Sequence, residues 1–311
     1  MVKLCKFLDL SAGSQSKYSQ QQEAFLEFCS CFGFDPFNLT EEELSMAAVH
    51  YAMGHTVHSV PGFMSAIQKL YDLSSNGPLP RGPVFHMALK GLRRLLLPAD
   101  EVVRSRALEL HDLLRLVCSL DITDPDEVCF GAEAVLAFFL CLRTEDHTGG
   151  RLCWGDVQYM TDNSVVFILP PGKVVRTFRK VAVSPRGDVL DVRLWLQRLE
   201  GFLPADRRTS SSPVFVSFAR TQAGSRGYWP VTAGGFVRRL KSKVLSVLGY
   251  DPTLFAGYSL RRGGVTALVT ALVPLPAIKR HVGWTPDSTA VFTYYDHHGH
   301  TQLLMPTAML P

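Results

Sequence analysis

The chain has 311 residues and a mass of 34.5 kDa, which is enough for one large or two modest domains. Hydrophobic residues make up 47% of it and charged residues 19%, a balance that excludes wholesale disorder. The formal net charge of +4 and the isoelectric point near 8.7 allow an anionic partner, but they exclude the strongly basic composition of a histone-like protein.

The first third of the chain predicts a flexible arm followed by a small helical domain. Residues 1–16 are polar and rich in serine, which is typical of a mobile terminus. Thr40, followed by three glutamates, has the pattern of a helix N-cap. The prolines and glycines near residues 77–83 separate two further helices, and Pro98 ends the last one. Apolar residues at three-and-four spacing predict helices over 17–34, 41–54, 60–76 and 82–97. We therefore expect a helical domain over 17–98 and a linker over 99–105.

The remainder, 106–311, predicts a second domain of mixed structure with a C-terminal tail. Helical periodicity resumes after the linker and then gives way to three short segments rich in Val, Phe and Ile, which predict an antiparallel three-stranded sheet. The predicted helices cover 107–120, 125–142, 189–200, 232–248, 259–272 and about 288–295, and the predicted strands cover 151–160, 164–169, 177–184 and 214–218. The expected fold class is mainly α with two domains, the second being α+β.

Several short motifs in the second domain follow one another in a characteristic order. Arg143 lies at a predicted helix end, before Leu152-Cys153-Trp154-Gly155-Asp156, and Lys173 lies in the hairpin loop after the second strand. Tyr258-Ser259-Leu260-Arg261-Arg262-Gly263-Gly264, Gly283-Trp284 and Tyr294 follow. In this order the sequence resembles the tyrosine recombinases, the integrase-like DNA strand-transfer enzymes. The Arg-Arg-Gly-Gly segment is most similar to recombinases of DIRS-type and related eukaryotic mobile elements.

The resemblance implies a helical, SAM-like core-binding domain and a catalytic domain of the DNA breaking-rejoining fold. It also implies a site-specific recombinase or integrase that cuts and rejoins DNA through a 3′-phosphotyrosyl intermediate, in the service of a mobile element. Tyr294 would be the nucleophile, Arg143 and Arg261 would neutralise the phosphate, Lys173 would protonate the leaving oxygen, and Trp284 would orient the phosphate.

Elementary chemistry is consistent with these residue types. Attack on a phosphodiester places negative charge on the equatorial oxygens, which two guanidiniums can bind bidentately at any working pH. A phenol has a pKa of about 10 and needs nearby cations to ionise. A lysine can act as general acid, and an indole N–H can donate to a phosphate oxygen. A covalent intermediate that retains the bond energy needs neither metal nor ATP, and the sequence contains no phosphate-binding glycine loop or clustered carboxylate pair.

Alternatives stay open at four positions. Tyr295 is the second choice for the nucleophile, and Arg176, Arg179 and Lys180 are alternatives to Lys173. Tyr258 occupies the position where the family usually has histidine, and a phenol can only donate or relay a hydrogen bond there. His281 is a possible helper in proton removal.

The expected partner is double-stranded DNA, held between two basic domains mainly through its phosphates. Recombination needs paired breaks, so we expect a homotetramer on two sites and allow a monomer in the free state. No cofactor or metal is expected, and His297, His298 and His300 are interpreted as a solvated turn. The candidate DNA-binding residues are Lys90, Arg93, Arg94, Arg104, Arg106, Arg238, Arg239, Lys241 and Lys243.

The seven cysteines, an odd number with no C-x-x-C pair, indicate reduced thiols within the core. Apolar runs too short for a secretory signal or a membrane span predict an intracellular protein, nuclear if the source is eukaryotic, with no membrane partner. Three other functions are compatible with the sequence. They are nicking and resealing like a type IB topoisomerase, DNA binding by a catalytically decayed relative, and an unrelated helical scaffold.

Overall fold

A computed structural model of the chain describes residues 12–74, 77–96, 105–171, 178–218 and 227–291. The chain divides into two compact units, 1–103 and 104–311. None of the described helices is both long and apolar enough to cross a membrane.

The described part of the first unit consists of four helices around one apolar core. They are α1 (Ala12–Phe32), α2 (Glu41–Gly54), α3 (Val60–Ser74) and α4 (Pro83–Leu96). Phe25, Leu44, Phe63 and Ile67 are among the fully buried side chains of this core. The predicted cap at Thr40 is confirmed, because its side chain accepts a hydrogen bond from the Glu43 backbone N–H and the Glu43 carboxylate accepts one from Thr40 N–H.

The second unit is built around one buried helix. Its first helices are α5 (Leu110–Cys118), α6 (Pro125–Phe139) and the single turn α7 (Thr144–His147). Every residue of α6 from Val128 to Phe138 is buried, and all but Glu133 are apolar or small, so this helix forms the centre of the unit. At Gly131, α6 approaches α8 (Val192–Phe202) so closely that a Cβ there would lie 2.4 Å from the Trp195 ring.

A small antiparallel sheet lies after α7 in the chain. Its strands β1 (Val157–Tyr159), β2 (Val165–Leu169) and β3 (Arg179–Val183) pair in sequence order. A two-stranded ribbon pairs β4 (Val216–Ser217) with β5 (Trp229–Pro230). The predicted fold class, mainly helical with a three-stranded antiparallel sheet, is confirmed.

Three helices complete the described part of the unit. They are α9 (Ala233–Lys243), which continues as a π-helical turn over Val244–Leu248, α10 (Tyr258–Thr270) and α11 (Leu275–Val282).

Several predicted boundaries were wrong. The predicted arm over 1–16 overlaps α1, which begins at Ala12; residues 1–11 lie outside the described residues. Helix α6 ends at Phe139 rather than at 142, because Cys141 has a positive φ of 49°. The sequence analysis did not predict α7, β5 or α11. Of the six cysteines that the structure describes, Cys29, Cys129 and Cys141 are buried as expected, whereas Cys31 and Cys118 are exposed and Cys153 is half-buried.

Candidate functional site

Two glycines place Arg261 at the end of α6. A Cβ on Gly263 would lie 1.7 Å from the Leu108 carbonyl oxygen, and one on Gly264 would lie 2.1 Å from the Phe138 carbonyl oxygen. Helix α10 therefore lies directly against backbone that larger residues would push away. At this distance the buried Arg261 donates from Nη1 to the Cys141 carbonyl oxygen at 2.6 Å and from Nη2 to the Val282 carbonyl oxygen at 3.4 Å. The Arg-Arg-Gly-Gly segment near the start of α10 thus contacts the C-terminal ends of α6 and α11.

The turn after α6 places Arg143 next to this junction. With Cys141 in the left-handed region, the Leu142 backbone N–H bonds the Ala137 carbonyl oxygen at 2.9 Å and ends the helix, as glycine usually does. Arg143 is then the N-cap of α7. The Asp146 carboxylate accepts from the Arg143 backbone N–H at 3.0 Å and lies 4.0 Å from Nη1 of the same residue. These contacts fix the backbone position from which the half-buried Arg143 side chain extends.

A third arginine, Arg179, reaches the site from the first residue of β3. Its Nη1 donates to the His281 carbonyl oxygen at 2.6 Å, and its guanidinium covers the Cα of Gly283. Gly283 has a φ of 74° and ends α11, which turns the chain toward Trp284. Arg179 therefore connects the sheet to the Gly-Trp motif.

Trp284 and His281 complete the described part of the site. Trp284 is buried beside Cys141, and the Arg261 guanidinium carbon lies 5.5 Å from the centre of its ring. His281 lies with its Nε2 2.7 Å from the Phe139 carbonyl oxygen, a contact in which Nε2–H is the donor. Burial lowers the pKa of His281, the hydrogen bond to the Phe139 carbonyl oxygen offsets part of this effect, and the charge of Arg179 lowers the pKa further. The neutral ring is thus used to hold the end of α6.

Arg143, Arg179 and Arg261, referred to below as the arginine cluster, carry a positive charge that the Asp146 carboxylate offsets only in part. Burial is the main cause that lowers the pKa of Arg179 to about 10, and the charges of Arg261 and Arg143 lower it further while Asp146 raises it. Arg143 and Arg261 therefore both lie within electrostatic range of Arg179. Burial raises the pKa of the Cys141 thiol to about 12, so this sulfur stays neutral.

The other predicted catalytic residues are only partly described. Tyr258 is the first residue of α10, on the same helix face as Arg261 three residues later, and it is partly exposed. Lys173, Tyr294 and Tyr295 lie outside the described residues, as do the three histidines after residue 296. The described residues contain no group of His, Cys, Asp or Glu side chains arranged to hold a metal ion.

The predicted DNA-binding residues differ in their environments. Three of them, Lys90, Arg93 and Arg94, are exposed on α4. Arg106 stacks on the Tyr250 ring at 4.4 Å, and Arg104 lies outside the described residues. On α9, Arg239 and Lys243 both pair with the Glu127 carboxylate. Of the four basic residues predicted on α9, Arg238 is exposed, Lys241 is half-buried, and neither belongs to an ion pair within the described residues.

Sequence reasoning gave no place in the site to Asp146 and named Arg179 only as an alternative to Lys173. The spacing of three residues between Arg143 and Asp146 was a usable signal, since residues at i and i+3 meet on one helix turn. Arg179 carried no local signal, because its partner His281 lies 102 residues further along the chain.

Comparison of the sequence with models of known protein families finds no match, and neither does comparison with curated proteins. Solved structures do resemble the chain. A lambda integrase dimer bound to a COC′ core site gives a TM-score of 0.60 at 15% identity, over 94% of this chain and 73% of that one. The Tn1549 transposon integrase in complex with circular intermediate DNA gives 0.59 at 13%, over 87% and 85%. The XerH site-specific recombinase bound to difH substrate gives 0.58 at 14%, over 95% and 79%. The chain thus has the fold of these recombinases and integrases.

Proposed function

We propose that the chain is a site-specific DNA strand transferase that cuts and rejoins duplex DNA through a tyrosine. The observation that carries the proposal is that Arg261 lies over Trp284 and binds the Cys141 carbonyl oxygen, two residues before Arg143. Two guanidiniums beside an indole N–H form a site for an anion, and a phosphodiester is an anion that matches guanidinium geometry. The shared fold of integrases and recombinases that were solved with DNA supports this choice of anion.

The proposed reaction is an in-line displacement at phosphorus. The Tyr294 phenol loses its proton to solvent as its oxygen forms a bond to phosphorus. The bond to the 5′ oxygen of the next nucleotide breaks, and Lys173 gives that oxygen a proton. Arg143 and Arg261 neutralise the charge on the phosphate oxygens, and the Trp284 indole N–H donates to one of them. The 3′-phosphotyrosyl bond is then attacked by a 5′ hydroxyl of another strand, which releases the tyrosine. Neither a metal nor ATP enters this balance.

The proposal extends to the assembly and to the source of the protein. Exchange between two duplexes requires four breaks, so the active form is a homotetramer on paired sites. The exposed basic residues of α4 contact the DNA backbone in the helical first unit. The element served is a mobile one, of the DIRS-type or a related eukaryotic class by its Arg-Arg-Gly-Gly segment, which implies action in the nucleus.

A second candidate function is DNA binding without cleavage. Tyr258 favours it, because a phenol can only donate or relay a hydrogen bond at the position where the family usually has a histidine. Nicking and resealing of a single duplex uses the same chemistry and differs only in the absence of synapsis.

A nicked duplex library separates these functions. The library carries a nick in one strand with randomised sequence on both sides, so that cleavage near the nick releases a short fragment and traps the protein on DNA. The reaction contains EDTA and no nucleotide. We expect SDS-stable adducts with the wild type and with Tyr295→Phe, and none with Tyr294→Phe. Salt-sensitive binding by the wild type without any adduct would contradict strand transfer and favour the binding function.

The sequences recovered from the adducts then allow the second distinction. A supercoiled plasmid with two copies of the recovered site should give recombinant joints. Relaxed circles alone would indicate the topoisomerase-like activity. Sedimentation of the protein with the recovered site tests the tetramer, which predicts four protomers for two duplexes.

A further inference from the structure

We propose that Arg179 is a third phosphate-binding residue of the site, and that it meets the anion at the exposed edge of the arginine cluster. The inference rests on the proposed function and deepens it, since that reaction assigns no step to Arg179.

The first support is the unused donor capacity of Arg179. A guanidinium has five N–H donors. Within the described part of the chain, the Arg179 side chain makes one hydrogen bond, from Nη1 to the His281 carbonyl oxygen, and no ion pair. Its Nη2 and Nε therefore point their N–H groups at no described acceptor. A phosphate oxygen is the acceptor that suits such a fork.

The second support is the placement of the three arginines relative to solvent. Arg261 is fully buried and donates to two backbone carbonyl oxygens, whereas Arg143 and Arg179 are half-buried. An approaching phosphate therefore reaches Arg143 and Arg179 before the deeper guanidinium. The packing of Arg179 on Gly283 fixes its position, since the guanidinium rests on a Cα with no side chain between.

The third support is the charge balance. Half-buried cations are usually paired, because desolvation of an unpaired charge is costly. Here Arg143 and Arg261 both lower the pKa of Arg179, and the nearby carboxylate of Asp146 offsets only part of the effect. An anion bound between the arginines removes this repulsion, so the unliganded cluster is suited to take one up.

A purely structural role for Arg179 is the competing explanation. Its bond to the His281 carbonyl oxygen satisfies the end of α11, which any donor of similar length could do. The two roles differ in one respect. A structural arginine affects stability with or without anion, whereas a phosphate ligand affects the response to the anion.

Inorganic phosphate measures that response. The experiment measures Tm at increasing phosphate concentration, with the ionic strength held constant by chloride. It compares the wild type with Arg179→Lys, Arg179→Gln and the control Arg186→Gln. Arg186 is a partly exposed arginine paired with Asp188. We expect phosphate to raise the Tm of the wild type and of the control. Arg179→Gln should lose most of this rise, and Arg179→Lys should keep part of it, because a lysine retains the charge but not the fork. Equal rises in all four proteins would overturn the proposal.

The same variants in the nicked-library assay separate this inference from the proposed function. At saturating DNA, Arg179→Gln should form adduct about 100-fold more slowly than the wild type, the usual effect of removing one transition-state donor. An unchanged adduct rate with Arg179→Gln would refute the role of Arg179 and leave strand transfer intact. A phosphate response that depends on Arg179, in a wild type that forms no adduct, would refute strand transfer and leave the anion site intact. If Arg179→Gln fails to fold, Arg179→Lys alone decides, by losing adduct rate at unchanged Tm.

Discussion

Substitution of Gly283 by alanine should separate the positioning of Arg179 from the stability of the fold. Gly283 has a φ of 74°, a conformation that costs a residue with a Cβ about 1–2 kcal/mol. The new Cβ would also lie 2.5 Å from Arg179 Nη1 and 3.1 Å from its Cζ. The guanidinium must therefore move away, and the bond to the His281 carbonyl oxygen is weakened with it.

The chain contains a matched control for this substitution. Gly249 has a φ of 73° at the end of the π-helical turn, and a Cβ there would meet nothing within 4 Å. Gly249→Ala should therefore show the backbone cost alone, about 1–2 kcal/mol in the free energy of unfolding. Gly283→Ala should show that cost plus at most about 3 kcal/mol for the displaced charge-assisted hydrogen bond.

Urea denaturation and the adduct assay together check the prediction. The two variants should both stay folded and differ by no more than about 3 kcal/mol in unfolding free energy. Adduct formation should fall at least about tenfold in Gly283→Ala alone, which corresponds to about 1.4 kcal/mol of lost transition-state binding. Equal adduct rates in the two variants would refute the reasoning, because the position of Arg179 would then not matter to the reaction.

Three further predictions concern the packing and the titration of the second unit. Gly264→Ala should destabilise the fold by more than about 2 kcal/mol, because the new Cβ would collide with the Phe138 carbonyl oxygen. Gly201→Ala on α8 should stabilise the fold by about 0.5–1 kcal/mol, because the new Cβ would contact nothing. Urea midpoints of the two variants measure both effects. Because burial lowers the pKa of His281, the unfolded chain takes up a proton at a higher pH than the folded chain does. The contribution of His281 to the free energy of unfolding is therefore full above pH 6.5 and decreases below it. Urea midpoints measured between about pH 7.5 and 5.5 should show a smaller decrease in His281→Gln than in the wild type. Glu133 and His147 form a buried pair at 2.8 Å. Replacing either residue with leucine should lower the free energy of unfolding by about 3–5 kcal/mol, and replacing both should lower it by less than the sum of the two. Strictly additive losses in denaturation experiments would contradict the pairing.

The helices of the first unit could be predicted because their signals are local. Apolar spacing and the Thr40 cap depend on residues within one or two turns, and α2 matches its predicted bounds of 41–54. The start of α1 was missed, since serines and a glycine at 11–16 are more typical of a loop than of a helix.

Helix α11 was missed for a different reason. It has only eight residues, begins after Pro274 and carries two basic residues before its end, so it shows little more than two turns of pattern. Its ends are fixed by tertiary contacts. The Arg179 and Arg261 side chains satisfy carbonyl oxygens of its last turn from β3 and α10.

The site was predictable only in part. The order of the motifs pointed to Arg143, Arg261 and Trp284, and the structure places Arg261 over Trp284 and against the turn that precedes Arg143. Arg179 could not be found in this way, because its role depends on the missing side chain of Gly283 and on a contact between β3 and α11. The glycines after Arg262 were noticed as a resemblance, whereas their physical reason, backbone contact with Leu108 and Phe138, requires the fold.

Mass spectrometry of the trapped adduct is the most direct test of strand transfer through a tyrosine. Trypsin cuts after Arg280, and residues 281–311 contain no Lys or Arg, so both candidate tyrosines lie in one peptide of known mass. After nuclease digestion of the bound DNA, fragmentation should place a nucleotide remnant on Tyr294. An unmodified peptide, or a remnant on any other residue, would contradict the account.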